Sequence, residues 1–121
     1  MRIYYKIFDA PGYEKYPLII FEDKKYVGLE DLLNTKGSAI TLEKILEKIV
    51  LVEENKSEFE EIGNERNMLE IKKDECIIYD LFAGMLDDDE LNPTIYMSLS
   101  ELKIVVVEWI QKKEEMCKML E

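Results

Sequence analysis

The sequence has 121 residues, of which 47% are hydrophobic and 36% are charged, and this length and balance predict one folded domain over residues 1–121. A disordered chain is excluded, because it would carry far fewer apolar residues. The 16 Lys and Arg residues face 27 Asp and Glu residues, and the resulting net charge of −11 argues against binding to nucleic-acid phosphates or to anionic membranes. A basic protein partner is favoured instead, because opposite charges speed association.

Two strands and a short helix are predicted in the first part of the chain. Residues 2–8 alternate apolar and more polar side chains, which is typical of a half-buried strand. A turn at residues 9–12 closes this strand, and an apolar run at residues 18–22 predicts the second. Residues 28–34 are expected to form a short helix.

Two long helices are predicted, one at residues 42–54 with Thr41 as its N-cap and one from residue 99 to about residue 118. Ser98 and Glu101 have the spacing of a capping box at the start of the second helix. In both helices apolar residues recur three and four positions apart and therefore share one face: Leu42, Ile45, Leu46, Ile49 and Val52 in the first, and Leu102, Val105, Val106, Trp109 and Ile110 in the second.

The region between the long helices is predicted to be mainly strand. Ser57 and Glu60 suggest a capped helical turn through Ile62, after which residues 68–72 and 76–81 form a hairpin and residues 94–97 a last strand. The predicted fold is α+β: an antiparallel sheet of about four to five strands with the two main helices packed on it as a two-layer sandwich. A doubly wound parallel fold does not fit this order of elements.

Features required for common enzymes are missing from the sequence. It has no histidine, the commonest acid–base residue, and no GxGxxG or GxxxxGK[ST] loop for a cofactor. We therefore expect no enzymatic activity and no cofactor. The run Asp87-Asp88-Asp89-Glu90 lacks the register of a calcium loop, and consecutive side chains point in different directions. It is expected to be a solvated loop or a partner-facing patch and not a metal site.

The two cysteines, Cys76 and Cys117, have neither CxxC spacing nor a histidine to share a metal with. Both are expected to be buried and reduced. The sequence contains no signal peptide and no run of about 18 apolar residues, so we expect a soluble cytoplasmic protein. Tyr13 and Tyr16 lie in a turn-rich segment where burial is least expected, and tyrosines beside carboxylates suit a protein interface.

The C-terminal half of the chain combines several strand segments with a capped helix that contains a late tryptophan. The segments are Leu69-Glu70-Ile71-Lys72-Lys73-Asp74, Ile77-Ile78-Tyr79-Asp80-Leu81-Phe82, and Ile95-Tyr96-Met97-Ser98-Leu99-Ser100-Glu101-Leu102 ahead of Glu108-Trp109-Ile110. This half resembles the small acidic immunity proteins of bacterial polymorphic toxin systems, including contact-dependent growth inhibition. Those proteins often end in a strand, an S/T-x-E-E-F cap and a helix with a late Trp; Leu102 stands here where that pattern often has Phe.

The resemblance implies a protein that neutralises a cognate toxin, commonly a nuclease, by one-to-one binding and without catalytic residues of its own. A nuclease must have a basic substrate cleft, and an acidic protein can occupy it with carboxylates in place of phosphates. On this hypothesis the partner-binding residues are Asp87, Asp88, Asp89 and Glu90, with Asp80 on the neighbouring strand, followed by Tyr13, Glu14 and Tyr16. The free protein is expected to be a monomer.

Three alternatives remain open at this point. The chain can be a structural or adaptor subunit of a bacterial assembly, in which case the apolar helix faces would be interfaces and not core. It can be an enzyme that works through carboxylates, with or without a metal. It can also be a nucleic-acid mimic that acts on some other basic protein, which the sequence does not distinguish from an immunity protein.

Overall fold

The computed structural model describes residues 1–36 and 38–120, which contain six strands and three α-helices. In chain order the elements are β1 (Ile3–Phe8), β2 (Tyr16–Phe21), α1 (Val27–Leu33), α2 (Leu42–Glu53), β3 (Glu60–Gly63), β4 (Asn67–Ile71), β5 (Cys76–Asp80), β6 (Ile95–Met97) and α3 (Leu99–Met119), with 3₁₀ turns at Lys24–Tyr26 and Asp88–Glu90. The predicted α+β fold class is confirmed.

The strands form two antiparallel sheets. β1 and β2 make a hairpin of their own, and β3, β4, β5 and β6 make a four-stranded sheet in sequence order. The N-terminal strands were expected to belong to the same sheet as the others. Instead the hairpin contacts the helices, mainly α3 and α1, while α1 and α2 contact the four-stranded sheet.

The apolar helix faces meet inside the protein. α2 packs against α3 as well as against β3 and β4, so it is covered on more than one side. Trp109 on α3 is 1% exposed, as its helical spacing predicts. None of the helices in the described residues is both long and apolar enough to cross a lipid bilayer. The buried cluster includes both sheets and all three helices: Ile19, Phe21, Leu29, Leu32, Leu33, Ile45, Ile49, Val52, Leu69, Ile71, Ile78, Leu102, Val106 and Trp109.

Both predicted helix caps are present. The Lys44 amide donates to the Thr41 hydroxyl at 3.2 Å, at the start of α2. The Ser98 hydroxyl accepts from the Glu101 amide at 3.1 Å, and the Glu101 carboxylate accepts from the Ser98 amide at 3.4 Å. These bonds satisfy backbone donors that a helix leaves unpaired in its first turn.

The helical turn predicted from Ser57 through Ile62 is wrong. The Ser57 hydroxyl does contact the Glu60 carboxylate, at 2.6 Å, but Glu60 begins strand β3. β3 forms because it pairs with β4, where Ile62 lies opposite Leu69 and becomes buried. Pairing with the following strand therefore overrides a local cap motif.

The outer edge of β2 is closed by two side chains. The Ile19 amide donates to the Asn34 side-chain oxygen at 3.0 Å, and the Asn34 side-chain nitrogen donates to the Ile19 carbonyl at 3.0 Å. The Phe21 amide donates to the Glu30 carboxylate at 2.9 Å. These contacts occupy backbone groups that an open strand edge would offer to another chain.

Candidate partner-binding surface

The segment between β5 and β6, residues 81–94, is called the acidic loop below because it contains the four consecutive acids. Asp87, Asp88, Asp89 and Glu90 are all exposed, and the last three form a 3₁₀ turn. Within the described part of the chain, none of these carboxylates lies within 4.0 Å of a Lys or Arg nitrogen. The acidic loop therefore presents concentrated negative charge without ion pairs of its own among the described residues, and Arg66 is a nearby cation whose charge interacts with that of Glu90.

Both ends of the acidic loop are held by the carboxylate of Asp80, the last residue of β5. One oxygen accepts from the Phe82 amide at 2.9 Å, and the other accepts from the Asn92 amide at 2.8 Å. The Arg66 guanidinium donates to the same carboxylate at 2.8–2.9 Å and also donates to the Glu90 carbonyl at 2.8 Å. The guanidinium carbon of Arg66 lies over the Phe82 ring, 4.8 Å from the ring centroid. One ion pair thus fixes the start, the end and the acidic turn of the loop.

The electrostatics keep this ion pair charged. Hydrogen bonds from Arg66, together with those from the Asn92 and Phe82 amides, lower the pKa of Asp80 to about 2 against the opposing effect of burial. The hydrogen bonds between Arg66 and Asp80 raise the pKa of Arg66. Only 2% of the Asp80 side chain is exposed, compared with 31% for Arg66. Asp80 therefore stays ionised at neutral pH although it is buried.

Asp80 was expected to contribute to the partner-facing surface, and its position does not fit that role. Its carboxylate points into the protein and is fully used by Arg66, Phe82 and Asn92. The sequence placed it correctly beside the acidic loop but did not reveal Arg66, 14 positions earlier, as its partner. Asp80 is thus a positioning residue for the acidic loop.

A second group of polar side chains connects the acidic loop to β4 and α1. The fully buried Asn67 side chain donates to Asp31 at 2.8 Å and accepts from the Asn92 side chain at 3.0 Å. Asn64 also donates to Asp31 at 2.8 Å. α1 can approach closely here because Gly28 has no side chain. A Cβ at that position would stand only 3.0 Å from the Asn67 side-chain oxygen. Arg66, Asn67 and Asn92 were missed by the sequence analysis, since only tertiary structure brings them together.

Tyr13, Glu14 and Tyr16 lie elsewhere, at the turn end of the β1–β2 hairpin. Tyr13 is 73% exposed, as expected for this segment. Tyr16 is half-buried because it stacks on Phe8, with ring centroids 4.8 Å apart. Glu14 forms an ion pair with Lys36 at 3.1 Å. This group belongs to a different sheet from the acidic loop, and its one carboxylate is already paired.

The two thiols differ in burial. Cys76 is buried as predicted, and burial raises the pKa of its thiol to about 11, which makes it unreactive. Cys117 is exposed, contrary to expectation, because it follows the last buried residue of α3, Met116. Within residues 1–36 and 38–120, no three carboxylates or thiols lie close enough to hold a metal ion.

A cleft of about 630 Å³ lies between β2 and the C-terminal part of α3. Its described lining includes Trp109, Lys113 and a single carboxylate, that of Glu14. A pair of carboxylates of the kind used for glycoside hydrolysis is therefore not found among these lining residues.

Comparisons with protein-family models, with curated proteins and with solved structures found no match for this chain. The function is therefore inferred from the charges and geometry of the chain itself, together with the resemblance noted in its C-terminal half.

Proposed function

We propose that this protein is an immunity protein that binds a cognate basic toxin domain, of the nuclease class, and blocks its substrate cleft. The observation that carries the proposal is the acidic loop, whose four exposed carboxylates have no Lys or Arg partner among the described residues and which is held in place by the ion pair between Arg66 and the buried Asp80. A solvated loop needs no such support.

The physical basis is charge mimicry by a rigid loop. A nuclease cleft is lined with Lys and Arg that bind phosphates, and a row of carboxylates offers those cations a competing set of anions. The field of a chain with net charge −11 attracts such a partner before contact. Because the loop is already held at both ends, less conformational entropy is lost on binding.

The packing of the helices bears on the adaptor alternative. That alternative required the apolar faces of α2 and α3 to be interfaces with other subunits. Val106 and Trp109 on α3 and Ile45 and Ile49 on α2 are instead buried within the chain. The structure therefore removes the specific feature that favoured an adaptor, and the immunity function is the better supported of the two.

Charge reversal in the acidic loop is expected to slow partner capture. We predict that replacing Asp87, Asp88, Asp89 and Glu90 with Lys lowers the association rate constant by about 30-fold at low salt, because electrostatic steering is lost. The rate should also depend less on ionic strength. The partner to use is a basic toxin domain, to be sought among the products of the genes that flank this one, and stopped-flow mixing over a series of salt concentrations measures the effect.

The matched control reverses four exposed carboxylates on the helices: Glu47, Glu108, Glu114 and Glu115. It changes the net charge by the same amount, so it should reduce the rate less if the acidic loop is the capture site. Equal effects of the two variants would show that only the total charge matters. Unchanged kinetics in the loop variant would contradict the assignment of these residues.

A further inference from the structure

One face of the four-stranded sheet is not covered by any helix within residues 1–36 and 38–120. Along β4 and β5, buried residues alternate with half-buried ones, and the latter include Met68, Ile77 and Tyr79. On β6, Tyr96 is 64% exposed between two buried neighbours. The helices pack against the buried side. The opposite side, called the outer face, carries Glu61, Met68, Glu70, Ile77, Tyr79 and Tyr96.

The strand register arranges this outer face in rows. Glu61 lies opposite Glu70, Glu70 opposite Ile77, and Ile77 opposite Tyr96. Met68 lies opposite Tyr79, two residues along each strand from the pair formed by Glu70 and Ile77. Acidic groups therefore occupy the β3–β4 side, and aromatic and aliphatic groups occupy the β5–β6 side. An apolar, aromatic centre beside charged groups is the usual composition of a protein interface.

Glu61 and Glu70 lie directly opposite each other on neighbouring strands of the sheet. Like charges directly opposite each other on one face of a sheet repel. Among the described residues, neither carboxylate has a Lys or Arg partner within 4.0 Å. Burial, the charge of Glu70, a hydrogen bond to Glu70 and the charge of Glu61 together raise the pKa of Tyr79, which places both carboxylates near its hydroxyl. A cation brought by a partner would relieve this repulsion.

We propose that the outer face is the docking surface for the basic toxin domain, with a Lys or Arg of that domain against Glu61 and Glu70 and an apolar group over Ile77, Tyr79 and Tyr96. This inference rests on the proposed function and adds a second contact region to the acidic loop. The occupant is a basic protein and not a second copy of this chain, because two chains that each carry a net charge of −11 repel one another. The acidic loop captures the partner, and the outer face holds it.

Two substitutions test the outer face against the same basic toxin domain. Tyr96→Ala removes an exposed aromatic group and should raise the dissociation constant by about 30-fold, as loss of an interface hot spot does. Glu70→Gln should raise the dissociation constant by about 10-fold, because a charge pair with the partner is lost. At the same time Glu70→Gln should not lower the melting temperature of the free protein, since it removes repulsion from Glu61.

The control is Tyr4→Ala on β1, where the tyrosine is also exposed but belongs to the other sheet. It should leave the dissociation constant unchanged. If the unsubstituted chain forms no complex with a basic toxin domain from the flanking genes, the proposed function fails and the docking surface with it. If a complex forms and is weakened by charge reversal in the acidic loop but not by Tyr96→Ala or Glu70→Gln, the proposed function stands and the docking surface is overturned.

Discussion

Replacing Trp109 with Ala is expected to lower the free energy of unfolding by about 4 kcal/mol, the upper part of the range for a buried aromatic residue. The indole is 1% exposed and stacks on Tyr5, with ring centroids 5.6 Å apart. Its N–H donates to the Leu33 carbonyl at 2.8 Å and thereby ties α3 to the end of α1. Removing it leaves a cavity and an unpaired carbonyl. Urea unfolding followed by circular dichroism measures the change.

Trp109→Phe separates these two contributions. Phenylalanine keeps most of the apolar contact but loses the N–H donor, so a smaller loss of about 2 kcal/mol is expected. A surface substitution on the same helix, Ile104→Ala, should have little effect because Ile104 is 57% exposed. If Trp109→Ala were no more destabilising than Ile104→Ala, the packing of α3 described above would be wrong.

Asp80→Ala is expected to cost about 3 kcal/mol of stability, because it leaves the Phe82 and Asn92 amides without an acceptor and Arg66 without its ion-pair partner. The side chain itself is 2% exposed. The substitution should also slow partner binding, even though the four exposed carboxylates are unchanged, since the acidic loop loses its fixed position. Chemical unfolding measures the first effect, and stopped-flow association measures the second. Asp87→Ala, on the same loop but exposed, should leave stability unchanged.

The pH dependence of stability gives an independent check on Asp80. Its pKa is about 2 in the folded protein and 3.8 in the absence of these contacts. Because the folded pKa is depressed, the stabilisation is fully present above about pH 4 and is lost as the pH falls through about 2. The difference in unfolding free energy between the unsubstituted chain and Asp80→Asn should therefore be constant near neutral pH and shrink below pH 4. A difference that stays constant to pH 2 would contradict the ion pair.

Local sequence signals predicted the helices well. The apolar spacing of α2 and α3 and the caps at Thr41 and Ser98 depend only on neighbours along the chain, so they can be read without the fold. β3 could not be predicted in the same way. Its four residues, Glu60–Gly63, become a strand only because β4 lies beside them. The division into two sheets likewise depends on where the β1–β2 hairpin packs.

The candidate site was predicted only in part. A run of four acids between two strands indicates an exposed loop, and all four acids are exposed in the structure. The role of Asp80 required Arg66 and Asn92, which are 14 and 12 positions away in sequence. The outer face required the register of four strands, which places Glu61 opposite Glu70 and Ile77 opposite Tyr96. Such cross-strand neighbours are set by pairing and not by composition.

The central claim is that this acidic chain neutralises a basic toxin domain through its acidic loop. The most direct measurement is growth of cells that express a basic toxin domain sought among the products of the flanking genes, together with the unsubstituted chain, the loop charge-reversal variant or the helix charge-reversal control. We predict growth with the unsubstituted chain and the control and arrest with the loop variant, at equal soluble protein levels. Arrest in all three, or equal growth with the loop variant, would contradict the claim.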